Sequence, residues 1–163
     1  MNPELRNRLI KATAGGAIAL ATVLIQWHEG VRHTPYRDSG GVLSVCYGYT
    51  GSDIVPGKRY TAAECQALLD SDLKAAMAVV DVNVTVPLTE SQKAALASFV
   101  YNVGSGAFER STLLKKLNAG DRAGACDEMR RWKYVDGKVS RGLVNRRAVE
   151  YELCLISQSD NEE

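Results

Sequence analysis

The sequence lacks a strong net charge. Lys and Arg total 20 against 19 Asp and Glu, so the formal net charge is +1, and the global charge does not indicate a polyanionic partner. Eleven Lys or Arg against four acids lie between Arg110 and Arg147, a basic region that suits an anionic polymer or is simply solvated. No helix-turn-helix, zinc-finger or aromatic-interleaved basic motif is evident, so we expect no nucleic-acid partner.

Metal-binding patterns are also lacking. The four cysteines include no close Cys-x-x-Cys pair, which disfavours a zinc site. The two histidines, His28 and His33, are not spaced as a convincing metal site. We therefore expect neither a metal nor another cofactor.

Long hydrophobic runs are absent as well. The uncharged run Ala12–Ile25 has fourteen residues, fewer than the about 20 of a comfortable membrane span, and Gly15 and Gly16 weaken it. It follows a basic stretch, Met1–Lys11, which is the order of an export signal. Three interpretations remain open: a signal peptide cleaved near Ala19-Leu20-Ala21, a permanent anchor, or an ordinary buried or amphipathic helix.

What is present is the composition of a globular domain. Hydrophobic residues make up 45% and charged residues 24% of the 163 positions, which is ordinary for a folded protein. The length indicates one domain, or one lobed domain with a long internal helix. No internal repeat appears.

Two carboxylates in the stretch Trp27–Gly51 lie in contrasting surroundings. Glu29 ends an apolar helical pattern directly before Gly30, and the negative end of a helix favours the protonated acid. Asp38 lies in a polar turn next to Arg37, which favours the ionised form. Such a pair suggests a general acid and a base for the hydrolysis of a glycosidic bond.

Capping patterns predict the helices. Residues 36–60 read as short strands and turns. Thr61 and Glu64 form a capping box that opens a helix able to run past Met77 and connect two lobes, and the β-branched run Val79–Val86 predicts its exit. Further helices are expected from Thr89, with Gln92 completing a second box, from Ser111 to Leu117, from Asp121 to about Arg131 and from Leu143 to Ile156, with a loop at Trp132–Lys138.

The order of these motifs resembles one enzyme family. Glu29, eight residues, Asp38, five residues and the hydroxyl of Ser44 are similar to the catalytic signature of the phage-type lysozymes, glycoside hydrolase family 24. The second half resembles that family more densely, at Leu88–Asp121, Arg130–Trp132 and Gly142–Arg147. Two departures are Ser44, where the family usually has Thr, and Tyr49, where it usually has His; we expect Tyr49 to affect stability rather than chemistry.

The resemblance implies both a fold and a reaction. The fold would be α+β but mainly α, two-lobed, with a small β region and a long inter-lobe helix. The reaction would be inverting hydrolysis of the β-1,4 bond between N-acetylmuramic acid and N-acetylglucosamine in peptidoglycan. Glu29 would be the acid, Asp38 the base and Ser44 a holder of the attacking water, with the carboxyls about 6.5–9.5 Å apart.

The resemblance also implies a substrate cleft. Tyr101 and Ser111 match cleft-lining positions of the family, and Arg146 matches an arginine that pairs with the catalytic Glu29. That pair would favour the carboxylate and oppose the effect of the helix end, and the sequence leaves this balance open. Trp132 is expected in the core rather than as a sugar platform.

The N-terminus resembles the signal-anchor-release segment of lambdoid-phage endolysins. Such a segment tethers an inactive enzyme to the host inner membrane and later slips out into the periplasm. We therefore predict an export and anchor segment at 1–26, a lysozyme domain at 27–157 and a polar tail at 158–163. Peptidoglycan and the host inner membrane are the expected partners of a monomer that causes host cell lysis.

The four cysteines allow three pairings. If the chain reaches an oxidising compartment, Cys46–Cys65 and Cys126–Cys154 would each join parts of one lobe; buried thiols are the alternative. For function, the alternatives are a catalytically inactive peptidoglycan-binding protein, a membrane-anchored interaction protein and a lytic transglycosylase.

Overall fold

A computed structural model describes residues 1–156 as a mainly helical fold with two short antiparallel strand pairs. The predicted tail at 158–163 lies outside the described residues. The predicted fold class, α+β and mainly α, is confirmed. The helices are α1 (Pro3–Ala12), α2 (Gly16–Glu29), α3 (Ala62–Asn83), α4 (Glu90–Val103), α5 (Ser105–Glu109), α6 (Thr112–Asn118), α7 (Arg122–Met129) and α8 (Arg141–Leu155). The strands are β1 (Arg32–Arg37), β2 (Leu43–Cys46), β3 (Tyr134–Val135) and β4 (Lys138–Val139).

Two hydrophobic cores give the molecule its two lobes. The small core lies around the β1–β2 pair and contains Val45, Ile54 and Tyr60. The large core is helical and is built around α4, in which Ala94–Val100 is buried. Helix α3 contributes residues to both cores, so it is the inter-lobe helix that the sequence predicts.

Helix α3 is longer than its β-branched end suggests. Its first turn has the predicted capping box, because the Thr61 side chain accepts from the Glu64 N–H and Glu64 accepts from the Thr61 N–H. The predicted exit at Val79 is wrong, since the helix continues to Asn83. Val80 is fully buried in the large core, and burial of an apolar side chain outweighs the small helix penalty of a β-branched residue.

The later helices begin at the predicted caps. The side chains of Thr89, Ser111 and Asp121 each accept a hydrogen bond from the backbone of the following first turn. Helix α8 begins two residues before the predicted Leu143, and the sequence patterns did not indicate the short helix α5.

The loop predicted at Trp132–Lys138 contains a β-hairpin instead. Strands β3 and β4 pair through Val135 and Lys138, with Asp136 and Gly137 between them, both at positive φ. An Asp-Gly pair suits this geometry because the tight two-residue hairpin turns require left-handed residues. The Asp-Gly dipeptide was therefore the signal for a hairpin here.

Two disulfides join elements within the lobes. Cys46 of β2 is bonded to Cys65 of α3, and Cys126 of α7 to Cys154 of α8. All four cysteines lie within the described residues and none is free. The predicted pairing is therefore confirmed, against the alternative of buried thiols.

The N-terminal segment is folded into the large core. Leu5, Leu24 and Ile25 are fully buried there, and α2 packs along α4. Taken together, Pro3–Glu29 is also long and apolar enough to cross a membrane by length and composition, a property that core helices and signal sequences share. The predicted boundary between 26 and 27 falls inside α2.

A carboxylate from α4 holds the beginning of α2. A 3₁₀ turn at Thr13–Gly15 separates α1 from α2, and Gly16 has φ +71. Helix α2 has no side-chain cap of its own, but Glu90 Oε2 accepts a hydrogen bond from the Ala17 N–H at 2.7 Å. The negative charge also complements the positive end of the helix.

We expect Glu90→Ala to lower the free energy of unfolding by about 1–2 kcal/mol, because it removes a cap from α2. Urea unfolding followed by circular dichroism measures the loss. Glu109→Ala is the matched control: Glu109 is exposed, and a surface change of this kind costs within about 0.5 kcal/mol. Equal losses in the two variants would contradict the capping role.

Candidate active site

Glu29 lies at the junction of the two lobes. It is the last residue of α2, which ends because Gly30 adopts φ 64. Its carboxylate approaches the small lobe so closely that a Cβ built on Gly48 would lie 3.0 Å from Oε2. Gly48 also has φ +77, so glycine is required there on two counts. The Glu29 side chain is 24% exposed.

Arg146 holds the other carboxylate oxygen. Its Nη1 lies 2.5 Å from Glu29 Oε1, so the expected ion pair forms. Its Nη2 donates to the Ser98 carbonyl at 3.1 Å and to the Ser98 hydroxyl at 3.3 Å. Since the Arg146 side chain is only 4% exposed, the guanidinium is a fixed, desolvated charge against Glu29.

Asp38 lies in the turn between β1 and β2. Its Oδ1 accepts hydrogen bonds from the Gly40 and Val42 N–H groups, both at 2.9 Å. Arg37 does not bond the carboxylate; its Nη1 donates to the Gly41 carbonyl at 2.9 Å. The turn therefore presents an exposed carboxylate whose one oxygen is held by backbone donors.

Ser44 is attached to Asp38 through the backbone of Val42. The Ser44 hydroxyl donates to the Val42 carbonyl at 3.3 Å, while the Val42 N–H donates to Asp38. Ser44 is 2% exposed. Its hydroxyl is thus bonded within the small lobe, next to the turn that holds Asp38.

Tyr101 connects the lobes. Its hydroxyl, on α4, donates to the Tyr47 carbonyl at 2.7 Å. Burial raises the pKa of Tyr101, and the charges of Asp72 and Glu29 raise it further, so the phenol stays neutral. Tyr101, Gly48 and Asp72 line an open cavity of about 220 Å³ between the lobes, which is where a cleft is expected.

Ser111 has a different position from the other candidates. It is buried, and its hydroxyl donates to the Phe108 carbonyl at 2.6 Å and accepts from the Leu114 N–H at 3.1 Å. The structure therefore uses this hydroxyl as the N-cap of α6 and does not place it in contact with Glu29 or Asp38.

The aromatic candidates are held by neighbouring side chains. The Tyr49 hydroxyl donates to Asp53 at 2.5 Å, and this bond, more than burial, raises the pKa of Tyr49 to about 12. Trp132 packs edge-on against Phe99 with ring centroids 5.5 Å apart and lies partly buried against the large core.

Two buried charges behind Glu29 were missed from the sequence. Arg147 and Glu150 are bonded to each other at 1% and 0% side-chain exposure. Arg147 also donates to Asn102 and, at 2.9 Å, to the Trp132 carbonyl. The signal for them was spacing, because residues three and four apart share a helix face and Glu150 follows Arg147 and Arg146 at those intervals.

His28 is neutral beside these charges. Burial, followed by the positive charges of Arg146 and Arg147, lowers its pKa to about 4. Its Nε2 is buried without a hydrogen-bond partner among the described residues. No group of three or more His, Cys, Asp or Glu side chains within residues 1–156 is arranged to hold a metal ion.

The neutrality of His28 predicts a pH dependence of stability. The unfolded chain takes up this proton near pH 6.5, but the native state does so only near pH 4. Between these values the unfolded state binds more protons, so stability falls as the pH is lowered. We expect His28→Gln to lose less stability than the parent chain between pH 6.5 and 4 in urea unfolding; identical losses would contradict this.

Comparison with known proteins identifies similar sequences. The family model described as phage lysozyme matches residues 26–150. A SAR-endolysin of Bacteriophage PS119 is 53% identical over 161 residues, covering 95% of this chain and 96% of that protein.

Solved structures are similar as well. The muramidase domain of SpmX from Asticaccaulis excentricus has TM-score 0.77 at 34% identity, covering 84% of this chain and 95% of that one. An endolysin from Escherichia coli O157:H7 phage FAHEc1 has TM-score 0.75 at 33% identity, covering 83% and 90%. The chain belongs to the phage lysozyme family.

Proposed function

We propose that this chain is an endolysin muramidase that hydrolyses the β-1,4 bond between N-acetylmuramic acid and N-acetylglucosamine in peptidoglycan and so causes host cell lysis. The observation that carries the proposal is the position of Glu29, which meets Arg146 of one lobe and Gly48 of the other. Membership of the phage lysozyme family and the muramidase folds above support the same substrate.

Glu29 acts as the general acid. A glycosidic oxygen bound between the lobes receives its proton as the bond to the sugar breaks. The end of α2 favours the protonated form, whereas Arg146 favours the carboxylate left after proton transfer. The pair therefore stabilises the charge that develops on Glu29 during the reaction.

Asp38 acts as the general base in an inverting reaction. Two backbone N–H groups stabilise its negative charge, which suits a group that must be ionised to activate water. Ser44 supports the same turn through Val42 and orients the water from there. Ser keeps the hydroxyl of the usual Thr but lacks the methyl group that restricts its rotamer.

Substrate binding involves Tyr101, Arg146 and Ser111. Tyr101 lines the cavity between the lobes, and its hydroxyl bonds the Tyr47 carbonyl of the small lobe. Arg146 positions the acid at one side of the cleft. Ser111 contributes by starting α6 at the correct place, because its hydroxyl is already used as a cap.

We expect Glu29→Gln to lower the lytic rate by at least about 100-fold, because it removes the general acid. The turbidity of outer-membrane-stripped cells measures the lytic rate. Glu109→Gln, at an exposed position, is the control and should retain the parent rate. A purified Glu29→Gln variant with the parent rate would overturn the proposal. Product masses also test the reaction: hydrolysis leaves a reducing muramic end, whereas a transglycosylase leaves an anhydro-muramic end.

We propose further that residues 1–26 tether the chain to the host inner membrane before release into the periplasm, where 27–157 acts as a monomeric lysozyme domain. The length and composition of Pro3–Glu29 suit a membrane span, and the similar protein of Bacteriophage PS119 is a SAR-endolysin. With the segment in lipid, Glu29 would lie at the bilayer surface and apart from Arg146. Activity would then begin only when α2 packs against α4.

Gly16 offers a test of this switch. We expect Gly16→Leu to keep more of the chain in the membrane fraction and to slow lysis. Leu strengthens partitioning into lipid, and positive φ at this position opposes Leu in the folded state. Ala14→Leu is the control, because Ala14 is exposed in the neighbouring turn. Leu at this position strengthens partitioning into lipid without opposing the folded state. Membrane-embedded protein that cleaves peptidoglycan as fast as soluble protein would contradict the switch.

A further inference from the structure

We propose that Glu150 is a positioning residue that offsets the two arginines behind Glu29, so that Glu29 can hold the proton it donates. The inference rests on the proposed function, because it assigns a partner to the proposed general acid. It is carried by the arrangement of four buried or partly buried charges on α2 and α8.

The geometry places Glu150 on the far side of the arginines from the cleft acid. Glu150 Oε1 is bonded to Arg147 Nη1 and lies 3.6 Å from Arg146 Nε. Arg146 in turn meets Glu29 through Nη1. One guanidinium thus bridges two carboxylates, one open to the cleft and one with no exposed surface.

The other groups around Glu29 are uncharged or distant in effect. His28 beside it on α2 is neutral above about pH 4, and Tyr101 on α4 is a neutral phenol whose pKa is raised by burial. From α4, Ser98 and Asn102 supply only neutral partners. The small lobe contributes the backbone of Gly48, and Asp72 of α3 lines the same cavity as Gly48 and Tyr101.

An ionised Glu150 leaves one net positive charge beside a protonated Glu29, whereas a neutral Glu150 would leave two. Burial raises the pKa of Glu150, and both guanidiniums oppose that rise. Neither arginine can lose its proton near neutral pH, so a neutral Glu150 would leave two buried positive charges facing Glu29 alone. A buried unpaired charge is costly, which favours the ionised Glu150.

The balance matters because Glu29 has to exist as the acid. Two uncompensated guanidiniums would hold it as a carboxylate, and a carboxylate cannot protonate the leaving oxygen. Glu150 also lies 3.6 Å from Arg146 Nε, which has no hydrogen-bond partner among the described residues, so the contact between them is electrostatic. Glu150 thus acts through Arg146 and never touches the substrate.

The alkaline limb of the pH–rate profile tests the inference, because there the general acid loses its proton. We expect Glu150→Gln to move this limb down by about one pH unit, the scale of a nearby charge. Arg147→Met removes a positive charge and should move the limb upward. The double variant removes one charge of each sign and should restore the parent limb.

Glu128→Gln is the matched control. Glu128 is also buried and bonds Lys116 at 2.9 Å, so its loss lowers the melting temperature without moving the limb. All rates are measured on purified chain with intact disulfides, well below the melting temperature of each variant. If Glu150→Gln does not fold, the Arg147→Met profile decides alone.

The inference is overturned if Glu150→Gln and Arg147→Met lower the melting temperature but leave the alkaline limb of the pH–rate profile in place. Glu150 would then be a structural residue. That result is distinct from failure of the proposed function, which a fully lytic Glu29→Gln variant would reveal. The inference is supported if the alkaline limb moves down in Glu150→Gln, moves up in Arg147→Met and regains the parent position in the double variant.

Discussion

The ion pair between Arg146 and Glu29 is the contact on which the site depends. It joins residues 117 positions apart along the chain and forms only when α2, α4 and α8 are packed together. Arg146 is buried, so its charge acts on Glu29 through protein rather than through water, where the interaction is stronger. Any state that removes α2 from the helical lobe therefore also removes the partner of the acid.

This dependence bears on the proposed membrane switch of the N-terminal segment. In the folded chain its apolar residues lie in the large core, where Leu5, Leu24 and Ile25 are buried. In the proposed tethered state, lipid would surround them instead, and the small residues of the segment would keep its partitioning into lipid weak. The contact between Glu90 and the start of α2 exists only in the folded state. In the proposed switch, the same few residues would connect the location of the chain to the geometry of the site.

Local chemistry explains what could be predicted. The capping boxes at Thr61 and Thr89 involve residues three positions apart, so neighbouring letters specify them. The end of α2 at Gly30 is also specified by neighbouring residues, and it predicted that Glu29 lies in the last turn of that helix. The predicted exit at Val79 failed because burial of Val80 in a distant core outweighed a local preference.

Adjacent residues specified the beginnings of α3, α4, α6 and α7, the end of α2 at Gly30 and the two carboxylates in different local settings. Family resemblance added the Arg146 partner, and the disulfide pairing was a hypothesis that depended on export to an oxidising compartment. The position of Glu150 and Arg147 behind Arg146 followed from tertiary packing alone. Their surroundings are set by α4 and α8 packing together, and burial in such a contact has no signature in a single stretch of chain.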